Sequence, residues 1–169
     1  WRANGLGNGY SSFSTSGGRL YTLGARGGIE YVIALDRASG KKVWEVQNGR
    51  RFENDRGDGP RSTPTVDGDR LYVLGGSGDL TCLEHATGKK FWSINIVQKF
   101  GGVNPYWGYS ESPLIVGDRI LVNTGGRRAG IVAVAKADGS TLWQQHHDGA
   151  GYSSPMLMRT GSLNQVVYF

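Results

Sequence analysis

Three stretches of this chain repeat one pattern. Residues 34–44, 82–92 and 133–143 each begin on a small residue (Ala34, Cys82, Ala133). Each has glycine seventh (Gly40, Gly88, Gly139) and tryptophan eleventh (Trp44, Trp92, Trp143). The tryptophans stand 48 residues apart (Trp44 to Trp92) and 51 apart (Trp92 to Trp143). A period near 50, built from short apolar runs and tight turns, marks a repeat architecture such as a β-propeller. In such an array the repeated residues build the units, so chemistry has to be sought among the residues that differ.

Each repeat reads as four short strands. In the second, 62–66, 70–74, 80–84 and 90–96 alternate with glycine-containing turns, and β-branched and aromatic residues fill the runs. The first reads 11–15, 19–23, 30–36 and 42–47. The third reads 112–116, 119–123, 130–135 and 141–145. A fourth begins at 153–158 and 165–169 and lacks its second half. The expected fold is therefore all-β, with antiparallel four-stranded blades over 10–47, 61–96 and 110–145 and a half blade over 152–169. The approaches to the first strands match as well: Tyr10-Ser11-Ser12-Phe13, Arg61-Ser62-Thr63-Pro64, Tyr109-Ser110-Glu111-Ser112-Pro113 and Tyr152-Ser153-Ser154-Pro155. The glycine of each repeat is expected to make the turn between third and fourth strands. The tryptophan is expected to lie across toward the next blade, because a buried indole supplies a large apolar area and one N–H in need of an acceptor.

Composition narrows the function classes. No apolar run approaches the ~20 residues of a membrane-spanning helix. The net charge is +5 over 169 residues, partly from Lys41-Lys42 and Lys89-Lys90 in turns, where lysine keeps edges soluble. No long basic run or nucleic-acid motif accompanies it, so nucleic acid is not an expected partner. Cys82 is the single cysteine. It fills a slot that alanine holds in the sister repeats, and reads as a small buried hydrophobe. The chain starts at Trp1 without a charged-then-apolar leader, so any export signal has been removed or was never in this sequence. Residues 1–9 read as an approach loop, or at most one closing strand.

Propeller connectivity sorts the loops onto two ends. The turns between strands one and two, and three and four, are short and share one end. The connections 48–60, 97–108 and 146–151 and the turns 25–28 and 125–129 share the other, and they are long and varied. Long loops on a rigid scaffold are where binding concentrates. The expected partner-binding residues are Arg50, Arg51, Phe52, Phe100, Tyr106, Trp107, Arg127 and Arg128, with 99–109 as the richest segment. Glu111 replaces the Ser or Thr of other repeats at a channel-lining strand and could meet a cation there, helped by Asn104, Asn123 or Asp148. One acid alone is a poor calcium site. His146 and His147 are neighbours that point to opposite faces of a strand, and His85 lies in a turn, so no catalytic triad is indicated.

The repeat resembles the tryptophan-docking motif of the pyrroloquinoline quinone (PQQ)-like propellers, small-x-Asp-x-x-(Thr/Ser)-Gly-x-x-x-Trp. That family includes quinoprotein alcohol dehydrogenases and the non-enzymatic outer-membrane assembly lipoprotein BamB. Repeat three departs from it, with Ala135 at the Asp36/Glu84 position and Asp138 at the Ser/Thr position. The resemblance implies a ring of seven or eight blades, of which this chain holds about three and a half. The chain would be part of a longer protein, or would close through a second copy as a homo-oligomer. It also implies a periplasmic or extracellular location. The dehydrogenases of the family carry paired cysteines, a calcium site and a catalytic aspartate, and no matching motif occurs here. The expectation is a non-catalytic scaffold, without an evident cofactor or metal, binding a protein or polymer partner through its loop-rich end. The alternative is a fragment of a PQQ-dependent dehydrogenase, with PQQ and calcium bound.

Overall fold

The computed structural model describes residues 1–145 and 149–168. His146, His147, Asp148 and Phe169, and the expectations placed on them, lie outside the described residues. Three four-stranded antiparallel sheets follow one another in simple meander order. The first holds β1 (Ser14–Ser16), β2 (Arg19–Arg26), β3 (Ile29–Asp36) and β4 (Lys42–Arg50). The second holds β5 (Thr65–Asp67), β6 (Arg70–Leu74), β7 (Asp79–Glu84) and β8 (Lys90–Asn95), followed by a one-turn helix α1 (Ile96–Phe100). The third holds β9 (Leu114–Val116), β10 (Arg119–Gly126), β11 (Ala129–Ala135) and β12 (Thr141–Gln145). A hairpin of β13 (Met156–Thr160) and β14 (Leu163–Val167) ends the series. The described residues thus form three four-stranded sheets and a hairpin, and the fold is all-β apart from α1.

The repeat pattern becomes legible in the register. The small first residue and the tryptophan are cross-strand partners: Ala34 with Trp44, Cys82 with Trp92, Ala133 with Trp143. Immediately after each pair the register slips, between Ala34 and Leu35, Cys82 and Leu83, and Ala133 and Val134. A bulge adds local twist and re-aims a side chain, and a small partner leaves room for the indole to lie down. The turn that follows is closed identically each time. Gly40 N–H bonds the Asp36 carbonyl, Gly88 N–H that of Glu84, and Gly139 N–H that of Ala135, at 2.8–2.9 Å.

The first two indoles then seal seams between blades. Trp44 Nε1 donates to the His85 carbonyl at 3.2 Å, and Trp92 Nε1 to the Lys136 carbonyl at 3.0 Å. A Cβ placed on Gly88 would stand 2.9 Å from the Trp44 ring, and one on Gly139 2.9 Å from that of Trp92. The glycine therefore does two jobs: it takes a positive φ (71°, 78° and 72° in the three repeats), and it leaves the floor on which the preceding indole rests. Trp1 makes the same contact with blade one. Its Nε1 donates to the Arg37 carbonyl at 3.0 Å, and its ring covers Gly40. Residues 1–9 are otherwise loop, tied down by an Asn8–Ala25 bridge.

Two apolar clusters fill the seams. Tyr21, Leu23, Val32, Ala34, Leu71, Val73 and Leu83 join blades one and two. Tyr72, Leu74, Leu80, Cys82, Ile96, Ile120, Val122 and Val132 lie in the cluster joining blades two and three. Cys82 is buried there, and burial pushes its thiol up, so it behaves as the small hydrophobe the repeat requires.

Candidate partner-binding end

The first strands are shorter than the sequence suggests. Their approaches, 10–13, 61–64, 110–113 and 152–155, lie outside the ladders because side chains tie them together instead. Thr63 N–H donates to Ser112 Oγ and Ser112 N–H to Ser154 Oγ, both at 2.9 Å, while Thr65 Oγ1 donates to the Pro113 carbonyl at 2.8 Å. Ser12 aligns with this series, and its carbonyl accepts from Thr22 Oγ1 at 3.0 Å. The repeat thus builds a run of equivalent serines and threonines from blade to blade, and fixes where the residues just before them stand.

The long connections are anchored by a buried acid. Glu30 on β3 is fully buried, and its carboxylate accepts Phe52 N–H at 3.2 Å and Gly76 N–H at 3.0 Å. Burial pushes it up to about 7, partly opposed by those two N–H groups. The Gly76 carbonyl accepts from Asn104 Nδ2 at 2.9 Å and from Tyr109 N–H at 3.2 Å. Tyr109 in turn donates its hydroxyl to the Thr124 carbonyl at 2.8 Å. The connections after blades one and two are therefore locked to each other, and present their outer residues on a firm base.

The expected site residues divide into four groups. Phe52, Tyr106 and Trp107 come together. Asn54 Nδ2 bonds the Tyr106 carbonyl at 2.7 Å, and Tyr106 donates its hydroxyl to Asp55 at 3.1 Å. The Trp107 ring stands 6.1 Å from that of Tyr106 and 5.1 Å from that of Tyr152. Trp107 also lines an open cleft of about 490 Å³ with Tyr10, Arg56, Arg61 and Ser110. The Arg61 guanidinium sits 4.8 Å over the Phe52 ring and 5.3 Å over the Tyr10 ring. Arg50 and Arg51 line a separate polar cleft with Glu53, Ser77, Asp79, Asn95 and Gln98, and Arg51 is paired with Glu53 at 2.9 Å. Arg127 and Arg128 are exposed in the β10–β11 turn.

Phe100 corrects the sequence reading. It is 9% exposed and belongs to the core between blades two and three. Asn95 caps α1, accepting from the Val97 and Gln98 N–H groups, and one helical turn places Ile96 and Phe100 on the same buried face. The Asn95 cap followed by apolar residues four apart was the signal in the sequence. Glu111 is a second correction. It does not open on a channel mouth but is 3% exposed, and it accepts Asn123 N–H at 2.5 Å. Burial pushes it up to about 8, partly opposed by the Asn123 N–H. Asn123 is spent on Gly125 N–H. Tyr10, Arg61, Ser110 and Tyr152 are the residues that sequence reasoning matched as first-strand approaches without reading them as a site.

Among the described residues no three His, Cys, Asp or Glu side chains come together for a metal ion, and Cys82 is a single buried thiol. No helix among them is long and apolar enough to cross a membrane.

Comparison with known proteins agrees with this architecture. A BamB of Xanthomonas campestris pv. campestris is 35% identical over 82 residues, covering 47% of this chain and 19% of that protein. The solved structure of BamB from Moraxella catarrhalis matches 94% of this chain and 44% of its own at a TM-score of 0.62 and 21% identity. The quinohemoprotein alcohol dehydrogenase of Comamonas testosteroni matches 81% of this chain and 21% of its own at 0.58 and 19%. The chain therefore spans less than half the length of each of these relatives. The two structural likenesses speak for the fold. The family model described as outer membrane protein assembly factor BamB matches residues 28–168, and the chain belongs to that family.

Proposed function

We propose that this chain is part of an exported, non-catalytic propeller scaffold that docks a protein or polymer partner on its loop-rich end. The observation that carries this reading is the contrast between aromatic side chains. Tyr21, Tyr72, Trp44 and Trp92 are spent on the seams between blades. Tyr10, Tyr106, Trp107 and Tyr152 stand exposed at one end beside unburied arginines. Aromatics and arginine held on a firm base are the composition of an interface centre. Membership in the BamB family supports a protein partner and a periplasmic setting.

The test is photo-crosslinking in cells that make the full-length protein. A photoreactive residue at Tyr106 or Arg128 should give a discrete adduct. The same residue at Asp69 or Asp118, in the short turns of the opposite end, should not. Equal labelling from both ends would contradict the assignment. So would saturable quenching of tryptophan fluorescence by PQQ and calcium, which a dehydrogenase requires and a scaffold does not.

A further inference from the structure

The positions three residues before Phe13, Pro64, Pro113 and Pro155 are Tyr10, Arg61, Ser110 and Tyr152. They are equivalent in the four repeats. The propeller geometry brings all four to one place. Tyr10, Arg61 and Ser110 line the cleft of about 490 Å³ with Arg56 and Trp107, and the Tyr152 ring packs tilted against Trp107 while its hydroxyl accepts the Trp107 N–H at 3.4 Å. At the seams the repeat keeps its glycine and tryptophan unchanged. Here it varies equivalent positions into two tyrosines, an arginine and a serine.

The cleft carries two arginines, and the described acids that act on Arg61, Glu30 and Asp58, stand outside its lining. Arg61 is pinned by the Gly57 and Gly59 carbonyls and sandwiched by the Tyr10 and Phe52 rings. Arg56 is exposed, and among the described residues its guanidinium has no carboxylate partner. Among the described residues no acid lines the cleft. Asp55 accepts from Tyr106, and Asp58, besides acting on Arg61, takes Asn54 N–H at 3.1 Å and pairs with Arg51 at 3.5 Å; Arg56 is left as the exposed charge of the cleft. Two guanidinium groups beside aromatic faces recruit a carboxylate attached to an apolar body.

The shape selects the carrier of that carboxylate. Small-molecule sites enclose most of their ligand, whereas Tyr10 and Trp107 remain 61% and 48% exposed. The lining residues come from successive blades, so an extended chain crossing the end of the array would meet them in turn. Such a chain alternates its side chains, which suits one charged and one apolar contact.

We infer that the cleft framed by Tyr10, Arg56, Arg61, Trp107 and Ser110 takes an extended acidic segment of a partner protein, its carboxylate on the two arginines and the adjoining apolar side chain on Trp107. This rests on the scaffold reading above and deepens it.

The test is fluorescence anisotropy with the full-length protein and a short labelled peptide alternating Glu and Phe. The peptide should bind saturably, and affinity should fall as salt rises. Arg56→Glu should weaken binding by about tenfold or more, on the order of 1.4 kcal/mol, and Trp107→Ala by a similar factor. The matching Lys/Phe peptide should not saturate. Arg56 is an exposed loop residue, so its variant remains folded and decides the question even if Arg61→Met does not fold. Absent binding, an unchanged affinity in Arg56→Glu, or equal binding of the Lys/Phe peptide would overturn the inference. Crosslinks at Tyr106 without peptide binding would overturn this inference alone. Absence of both would overturn the scaffold reading with it.

Discussion

The two ends of the blades are built from the same repeat and treat it in opposite ways. At the short-turn end the same contact recurs at successive blades. An indole N–H meets the carbonyl of Arg37, His85 or Lys136, and the ring rests on Gly40, Gly88 or Gly139. At the loop end, equivalent positions carry Tyr10, Arg61, Ser110 and Tyr152, and their side chains are left in solvent or only partly covered. Sameness at one end holds blades together. Difference at the other gives the array something to recognise with. A repeat can therefore be conservative and inventive at once, provided the two tasks fall on different ends of its strands.

The comparison can be broken at the seams first. Trp92→Ala should cost about 3–5 kcal/mol, the range for a large aromatic removed from a packed site, as read by denaturant unfolding of the full-length protein. Gly88→Ala should follow at about 2–3 kcal/mol. It forces a side chain into positive φ and also into the Trp44 ring, which has nowhere to move without opening the seam. Gly161→Ala is the control. It too has positive φ (61°), but nothing stands within 4 Å of its missing Cβ, so the cost should stay near about 1 kcal/mol. Equal losses at the two glycines would show that backbone strain, and not the indole, sets the value.

Acidity sharpens the comparison at the loop end. Glu30 is raised from 4.5 to about 7, and Glu111 from 4.5 to about 8. Between the unfolded and folded values the native protein holds protons that the unfolded chain has released. Stability contributed by these groups is therefore present below pH 4.5 and is lost as pH rises through about 7 to 8. Glu111→Gln keeps a side-chain oxygen for Asn123 N–H and does not titrate, so it should flatten the upper part of that decline. An unfolding free energy whose slope between pH 5 and 8 is unaltered in the variant would contradict the assignment of Glu111.

Much of the scaffold was legible in the sequence, because a period of about 50 with a glycine and a tryptophan at fixed offsets admits few architectures. The strands β6 and β12 fall where the pattern places them. The first strands came out short, since Ser112 and Ser154 replace ladder bonds with side-chain ones, which no propensity reports. Phe100 was misplaced because a single helical turn interrupts an otherwise β pattern, and aromatic character alone does not say which way a ring points. The candidate site was half visible. Phe52, Tyr106 and Trp107 stood out by composition, whereas Tyr10, Arg61 and Tyr152 looked like scaffold. Only the circular arrangement of blades carries residues some 50 positions apart to one cleft.

The central claim is that the two ends divide stability from recognition, and one pair of unfolding curves tests it. Trp107→Ala should leave the unfolding free energy of the full-length protein within about 1 kcal/mol of the parent, against the several lost in Trp92→Ala. Comparable losses would mean that the Trp107 cluster is part of the packed framework, and that the loop end is not a surface held ready for a partner.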